Sequence, residues 1–308
     1  MGKRILVVGS ANMDFTMEMR AMPAAGESLR EEGGCRYTAG GAGAIAALTV
    51  TRLGGEAVLT ARLGNDIHGD RLFHLYREAG MDTRYISVDK RAPTGMRIIM
   101  REQNGNSRTL LYPGANASFL LSDAERAMAD GMADAVYLQT ELTADVFSGV
   151  CRLAERYEIP LCVDVGSAGE LSLSSLGECE IFCIDKKEAH ALTGVLPLGS
   201  DSCLRAAVEL EKRIRAKHYL IRLGERGIYT YDGRYCHMAP GPGIRMPEDT
   251  PLCDSITAVL LSEYLQNGGD IVAACRYGLA LNALLFKNSQ DPAYFPTAQE
   301  VRTFAERH

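Results

Sequence analysis

CEIFCIDKKEAHALTG, residues 179–194, is an apolar run that ends in an acid and passes at once into a helix-like stretch. Ile181, Phe182, Cys183 and Ile184 leave no polar face. A strand covered on both sides reads this way. Asp185 then stands at a helix start with Glu188 in the first turn, where acids are favoured. The same unit recurs on either side. Upstream lie the helix-like LSDAERAMADG (121–131), the strand DAVYLQTE (134–141), the helix ADVFSGVCRLAERY (144–157) and the strand IPLCVDV (159–165). Downstream come a helix from Asp201, the strands KHYLIRLG (217–224) and GIYTYDG (227–233), and two helices starting at Asp254 and Asp270. Repeated alternation of this kind predicts an α/β fold, a three-layer αβα sandwich on a mostly parallel central sheet.

The first third of the chain opens in the same way. RILVVGS (4–10) predicts a buried strand, AGGAGAIAALTVTRLG (39–54) a Gly-rich turn entering a helix, EAVLTARLG (56–64) a strand and DRLFHLYREAG (70–80) a helix. Two segments differ. Residues 15–38 alternate loosely and carry Pro, Gly and charges, and TGMRIIMREQNGNSRTLLYPGAN (94–116) places two apolar runs around a QNGNS turn. The second is a hairpin signal. Together they predict a small β lid, about 15–38 and 94–114, on a single domain spanning 1–308.

Composition limits the function. Of 308 residues, 46% are hydrophobic and 23% charged, and the net charge is −6. An ordinary soluble protein has this make-up, and the charge argues against a nucleic-acid or anionic-membrane partner. No apolar stretch reaches the roughly 18 residues a membrane span needs, and the apolar run near the start is too short for a secretory signal. The nine cysteines are scattered, several in apolar runs. They read as small core side chains in a reducing, cytoplasmic setting. Cys179 and Cys183 lack the spacing of a zinc knuckle. There is no Walker loop, and GAGAIA (41–46) follows the lid segment rather than the first strand, which argues against a dinucleotide fingerprint.

Several short pieces then fall into order: VVGSANMD at the start, GGAG before the first helix, ARLGNDIHGD after the next strand, DKKEA in the middle, RLGERG late, and Cys253-Asp254 opening the following helix. In this order and at these separations they resemble the ribokinase-like (PfkB) carbohydrate kinase family over essentially the whole chain. The resemblance implies ATP-dependent phosphorylation of a hydroxyl on a small sugar or nucleoside, with magnesium. It implies Asp254 as the general base; Asn12, Asp14, Gly40, Gly41, Ile45 and Glu141 at the substrate; Asp185, Arg222, Gly224, Gly227 and Cys253 on the nucleotide side; and Glu188 acting on the metal through water. It also implies a lid-mediated homodimer and a monovalent-cation loop near the base.

Two motifs depart from the family's pattern. The family's Gly-Ala-Gly before the base reads Pro251-Leu252-Cys253 within EDTPLCD (248–254). Proline has no N–H to offer an anion, and one lost anion-hole donor costs about 10²–10³ in rate. The family's GGKGAN reads GGAGAI, with Ala42 for Lys and Ile45 for the sugar-binding Asn. A hydroxyl left unpaired in a closed pocket costs about 1–3 kcal/mol, so ordinary ribose is disfavoured, and a less hydroxylated or more apolar substrate, or no phosphorylation at all, fits better. Cys253 has no His near it in sequence and reads as a packed thiol. Two functions stay open at this point: a working sugar or nucleoside kinase, and a catalytically weak or inactive relative that binds a small ligand or nucleotide as a sensor or partner-binding module.

Overall fold

Strand β1 (Arg4–Val8) buries Ile5 and Val7 against one layer of helices and Leu6 and Val8 against the other. Its unbroken apolar run follows from that two-sided cover. A computed structural model describes residues 2–166, 176–241, 243, 253–288 and 294–307, excepting the side chains of Cys253 and Asp254. Among the described residues the order continues with β2 (Asn12–Met19), β3 (Cys35–Gly40), α1 (Ala42–Arg52), β4 (Glu56–Gly64), α2 (Ile67–Glu78), β5 (Ile86–Asp89), β6 (Gly95–Glu102) and β7 (Ser107–Tyr112). Then follow α3 (Leu121–Ala129), β8 (Ala135–Gln139), α4 (Ala144–Arg156), β9 (Leu161–Asp164), β10 (Glu178–Asp185), α5 (Lys186–Thr193), α6 (Ser200–Glu211) and β11 (Arg215–Arg222). The chain closes with β12 (Gly227–Tyr231), β13 (Cys236–Pro240), α7 (Cys253–Gln266), α8 (Ile271–Lys287) and α9 (Ala298–Arg307).

Nine of these strands form one sheet in the order β13-β12-β11-β10-β9-β8-β1-β4-β5. Pairing is parallel from β5 through β11 and antiparallel for β12 and β13 at the edge. Helices α1, α2, α7, α8 and α9 cover one face, and α3 to α6 the other. The expected three-layer α/β architecture is therefore present. Since β1 and β8 to β11 run the same way, their C-terminal ends line one crevice, the place where open α/β sheets take ligands.

The second sheet is the lid, in the order β3-β2-β6-β7. Its strand β2 starts at Asn12, ahead of the expected 15, and no strand lies between Met19 and Cys35. Asn12 and Asp14 are turn formers by propensity, but Met13, Phe15, Met17 and Met19 alternate with them strictly, and pairing on both sides overrides the local preference. The lid is rooted where Asn12 sits in register with both Gly40 of β3 and Gly95 of β6. Asp66 ties this root to the body. It caps α2 through the Gly69 amide at 2.8 Å and also accepts from the Thr94 amide and hydroxyl, each at 2.7 Å. Burial works against the charge of Asp66, but these bonds outweigh it and hold the carboxyl below its ordinary range.

Some elements go unread in the sequence. Strands β5 and β13 are short and partly exposed, and α9 lies beyond the last strong apolar pattern. The helix beginning near 200 ends at Glu211, so the basic residues after it lead into β11 rather than extending the helix.

Candidate active site

The group expected on the substrate side gathers just beyond the end of β1. Ser10 donates its hydroxyl to Glu141 Oε2 and accepts from the Ala42 amide at 3.2 Å, while its carbonyl accepts from Ala44 N at 3.0 Å. One serine thus joins the end of β1, the loop after β8 and the start of α1. The chain can turn so tightly only because Gly41 adopts φ +87°, and a Cβ there would lie 2.7 Å from Ala11 Cα. Gly40 has a different reason: a Cβ there would collide with Asp14 Oδ1. Asn116 secures the other side, accepting from Ala11 N at 2.9 Å and donating to Asn12 Oδ1 at 2.8 Å.

Asp14 is the most unusual group in this cluster. Arg97 of β6, opposite it in register, donates both Nε (2.9 Å) and Nη2 to the single oxygen Oδ2. Oδ1 is buried and has no partner among the described residues. Burial raises the Asp14 pKa, Arg97 pulls it back, and Glu141 adds a smaller upward push. Asn12, Asp14, Gly40, Gly41 and Glu141 are thus brought to one place. Ile45 sits half-buried in the first turn of α1, bonded through its amide to the Gly41 carbonyl at 2.9 Å.

The other half lies at the ends of β9, β10 and β11. Asp185 and Glu188 form a reciprocal cap on α5: Glu188 N donates to Asp185 Oδ1 at 2.8 Å, and Asp185 N to Glu188 Oε2 at 2.6 Å. The DKKE motif therefore has a structural role of its own. Arg222 points inward. Its Nη1 reaches Asp164 Oδ1 at 2.6 Å and Thr257 Oγ1 of α7 at 3.0 Å, and Nη2 lies 3.9 Å from Glu188 Oε2. Tyr137 donates to the second Asp164 oxygen at 2.8 Å. Burial disfavours the Arg222 charge, yet Asp164 and Glu188 more than compensate and hold the guanidinium well above its ordinary pKa. Gly224 and Gly227, both at positive φ, flank a single 3-10 turn that leads β11 back into β12.

Helix α7 starts at Cys253, so Asp254 stands in its first turn. The side chains of both lie outside the described residues, as do Glu248 to Leu252 and with them the expected anion and monovalent-cation loop. Arg222 reaches this helix through Thr257, whose hydroxyl accepts from its Nη1.

The pattern of known proteins matches this arrangement. The family model described as pfkB family carbohydrate kinase matches residues 3–297. The chain belongs to the pfkB family of carbohydrate kinases. A ribokinase of Haemophilus influenzae is 24% identical, with 99% of each chain aligned. A deoxyribokinase of Salmonella typhi is 22% identical over 97% of this chain and 98% of its own. Among solved structures, Arabidopsis thaliana ribokinase complexed with ribose and ATP superposes with a TM-score of 0.87 at 23% identity, covering 99% of both chains. The fold of this pfkB chain is thus ribokinase-like, with the lid as its second sheet.

Sequence reading passed over four members of the site: Asp164, Thr257, Arg97 and Asn116. Asp164 carried a usable signal, since it ends an apolar strand as Asp185 does. Arg97 and Asn116 carried none, because only the strand register and the folded-back 3-10 turn at Gly114–Ser118 bring them to Asp14 and Asn12.

The donor set of this pfkB site fits a hydrated divalent cation rather than a metal caged by protein. No group of three His, Cys, Asp or Glu among the described residues is placed to hold a metal. Glu188, however, has Oε2 engaged and Oε1 free of partners among the described residues, and burial lifts its pKa to about 7 despite Arg222. Magnesium keeps its waters and needs only one or two carboxylates, so Glu188 would act on it through water.

The same shift predicts a pH effect. The folded chain binds the Glu188 proton more tightly than the unfolded chain, whose carboxyl titrates near 4.5. The associated stability is complete below pH 4.5 and is lost as pH rises through about 7, a difference on the order of 3 kcal/mol. Denaturant titrations of the protein and Glu188→Gln between pH 5 and 8 are expected to show the variant gaining on the parent as pH rises. Parallel curves would contradict this.

Proposed function

We propose that the protein transfers the γ-phosphoryl group of ATP to a hydroxyl of a small sugar- or nucleoside-like acceptor, with Asp254 as general base. The observation that carries this reading is Asp14. One oxygen is held by Arg97, and the other is buried in β2 of the second sheet with no donor among the described residues. A buried acceptor left unpaired calls for a partner, and an acceptor hydroxyl supplies one. Ile45 replaces an amide that would have bound a second hydroxyl, which supports an acceptor with fewer hydroxyls than ribose.

Asp254 stands in the first turn of α7, where the helix dipole favours negative charge. It takes the proton of the acceptor hydroxyl as that oxygen attacks the γ-phosphorus. The new O–P bond forms as the bond to the β-phosphate oxygen breaks, and ADP leaves. Lid and crevice fix the acceptor in line, and positioning supplies most of the rate in such transfers. Magnesium, when bound, neutralises phosphate charge beside Glu188.

A second reading is supported by Pro251-Leu252-Cys253, in which proline removes one backbone N–H that the family's Gly-Ala-Gly offers: a relative that binds nucleotide or small ligand as a sensor or partner-binding module. One experiment separates the two. Thermal unfolding is followed with and without millimolar magnesium–ATP, and ADP release is then assayed over a panel of acceptors. Nucleotide at 100 times its Kd adds about 2.7 kcal/mol to stability. A shift with ADP release on any acceptor supports the kinase. A shift with no release on the panel favours the binding module, and no shift removes the nucleotide from both readings.

The lid also supports a homodimer. Phe15, Tyr37, Ile98 and Leu110 stand in register on one face, and Tyr37, Leu110 and Tyr112 are exposed. Open apolar faces of this kind mark interfaces. Leu110→Glu is expected to convert the dimer to monomer in sedimentation velocity; an unchanged coefficient for the variant would rule this interface out. No described helix is long and apolar enough to cross a membrane. The eight described cysteines are unpaired, in keeping with the proposed cytoplasmic location.

A further inference from the structure

The face of the lid that carries Asp14 is polar, and Arg97 stands at its centre. Reading across the strands in register, the row is Thr38, Asp14, Arg97, Leu111. The adjoining rows on the opposite face are apolar, with Phe15, Tyr37, Ile98 and Leu110 in one of them. An arginine aimed at a buried carboxylate usually spends its fork on both oxygens. Arg97 does not. Its Nε and Nη2 converge on Oδ2 alone, and Oδ1 is left bare. The Nη1 end of the guanidinium bonds to no described residue, and the Arg97 side chain is 24% exposed while that of Asp14 is 3% exposed. The pair therefore presents two adjacent, unfilled valences: an acceptor at Asp14 Oδ1 and a charged donor edge at Arg97. Among the described residues, the carboxylate that acts on Asp14 is Glu141, which is engaged by Ser10 and weighs less on Asp14 than burial and Arg97 do.

We propose that Arg97 is a specificity-determining residue and that the acceptor it selects is an anionic hydroxy compound, with a hydroxyl for Asp14 Oδ1 beside a carboxylate or phosphate ester for Arg97. This rests on the kinase reading only in taking this lid face as the acceptor side. A neutral sugar leaves the charged donor edge unmatched, and Ile45 gives it no second amide in return. A carboxylate or phosphate matches the free edge of the guanidinium and makes a charge-assisted bond.

The test uses the full chain without nucleotide, so that binding is read independently of phosphoryl transfer. Isothermal titration calorimetry is run with ribose, ribitol, ribonate and ribose 5-phosphate at low ionic strength. At least one of the two anions is expected to bind ten-fold or more tightly than both neutral probes, and which one does so tells carboxylate from phosphate. Arg97→Gln is expected to abolish that preference, lowering the anion's affinity ten-fold or more without weakening the neutral probes. Arg97→Lys keeps the charge but not the fork and should retain part of the preference, which guards against an Arg97→Gln variant that folds poorly. Neutral probes binding as tightly as the anions, anion affinity unchanged in folded Arg97→Gln, or no binding by either anion at millimolar concentration would each overturn the proposal. Anion preference in a protein that shows no magnesium–ATP shift supports this inference while rejecting the kinase.

Discussion

Asp254→Asn lowers kcat for phosphoryl transfer by about 10²–10⁴, the usual worth of a positioned proton acceptor, and leaves the magnesium–ATP thermal shift in place. The substitution keeps the shape of the side chain and its place in the first turn of α7. It removes only the ability to take a proton. Asparagine also carries no charge to repel the incoming phosphates, so nucleotide affinity stays the same or rises while turnover falls. A variant whose kcat stays within ten-fold of the parent on its best acceptor would sink the assignment of Asp254 as base. Loss of the thermal shift together with turnover would instead point to a damaged helix start, which circular dichroism of the variant can check.

Arg222→Met is expected to cost about 3–5 kcal/mol of stability, the penalty for stranding one partner of a buried ion pair. Asp164 is the partner stranded. It is buried at the end of β9, holds Arg222 at 2.6 Å and has Tyr137 as its other donor. At about 2–4 °C per kcal/mol for larger domains, the melting temperature should fall by roughly 10 °C. Adding Asp164→Leu in the same chain should recover much of the loss, because the uncompensated charge goes with it. Arg222→Lys is not conservative, since an ammonium on a flexible stem cannot serve Asp164, Thr257 and the Val165 carbonyl together. Arg222 is tied through Thr257 to α7, the helix that opens with Cys253-Asp254, so loosening this contact should also lower kcat more than it raises KM for ATP. An Arg222→Met protein as stable as the parent would show the pair to be dispensable.

The architecture was legible in the sequence because buried parallel strands leave nothing to alternate. Ile181 to Ile184 could hardly be anything else, and each such run is followed by a helix. The residues expected at the substrate were read from the resemblance, but Asn12 and Asp14, expected at the end of the first strand, belong to β2 of the second sheet. What could not be read is who their neighbours are. Arg97 is 83 residues from Asp14, and only the register of β2 on β6 makes them a pair. Asn116 is 104 residues from Asn12. Long-range pairing of this kind is fixed by strand register, and a slip of one residue would turn Arg97 to the apolar face. Arg222 was expected on the nucleotide side, but its inward, half-buried pose was not legible, because the carboxylate that draws it in belongs to a different strand.

The root of the lid is also its pivot. Asn12, Gly40 and Gly95 are where strands β2, β3 and β6 leave the body, and Asn12 is at the same time a residue expected to hold the acceptor. Under the proposed function, gripping the acceptor and closing the small sheet over it would therefore draw on the same residue. Each increment of grip on the acceptor braces the pivot, and the braced pivot must loosen again before product can leave. Selection for tighter capture at this site works against the speed of reopening, so affinity and turnover are expected to move in opposite directions along any series of Asn12 variants.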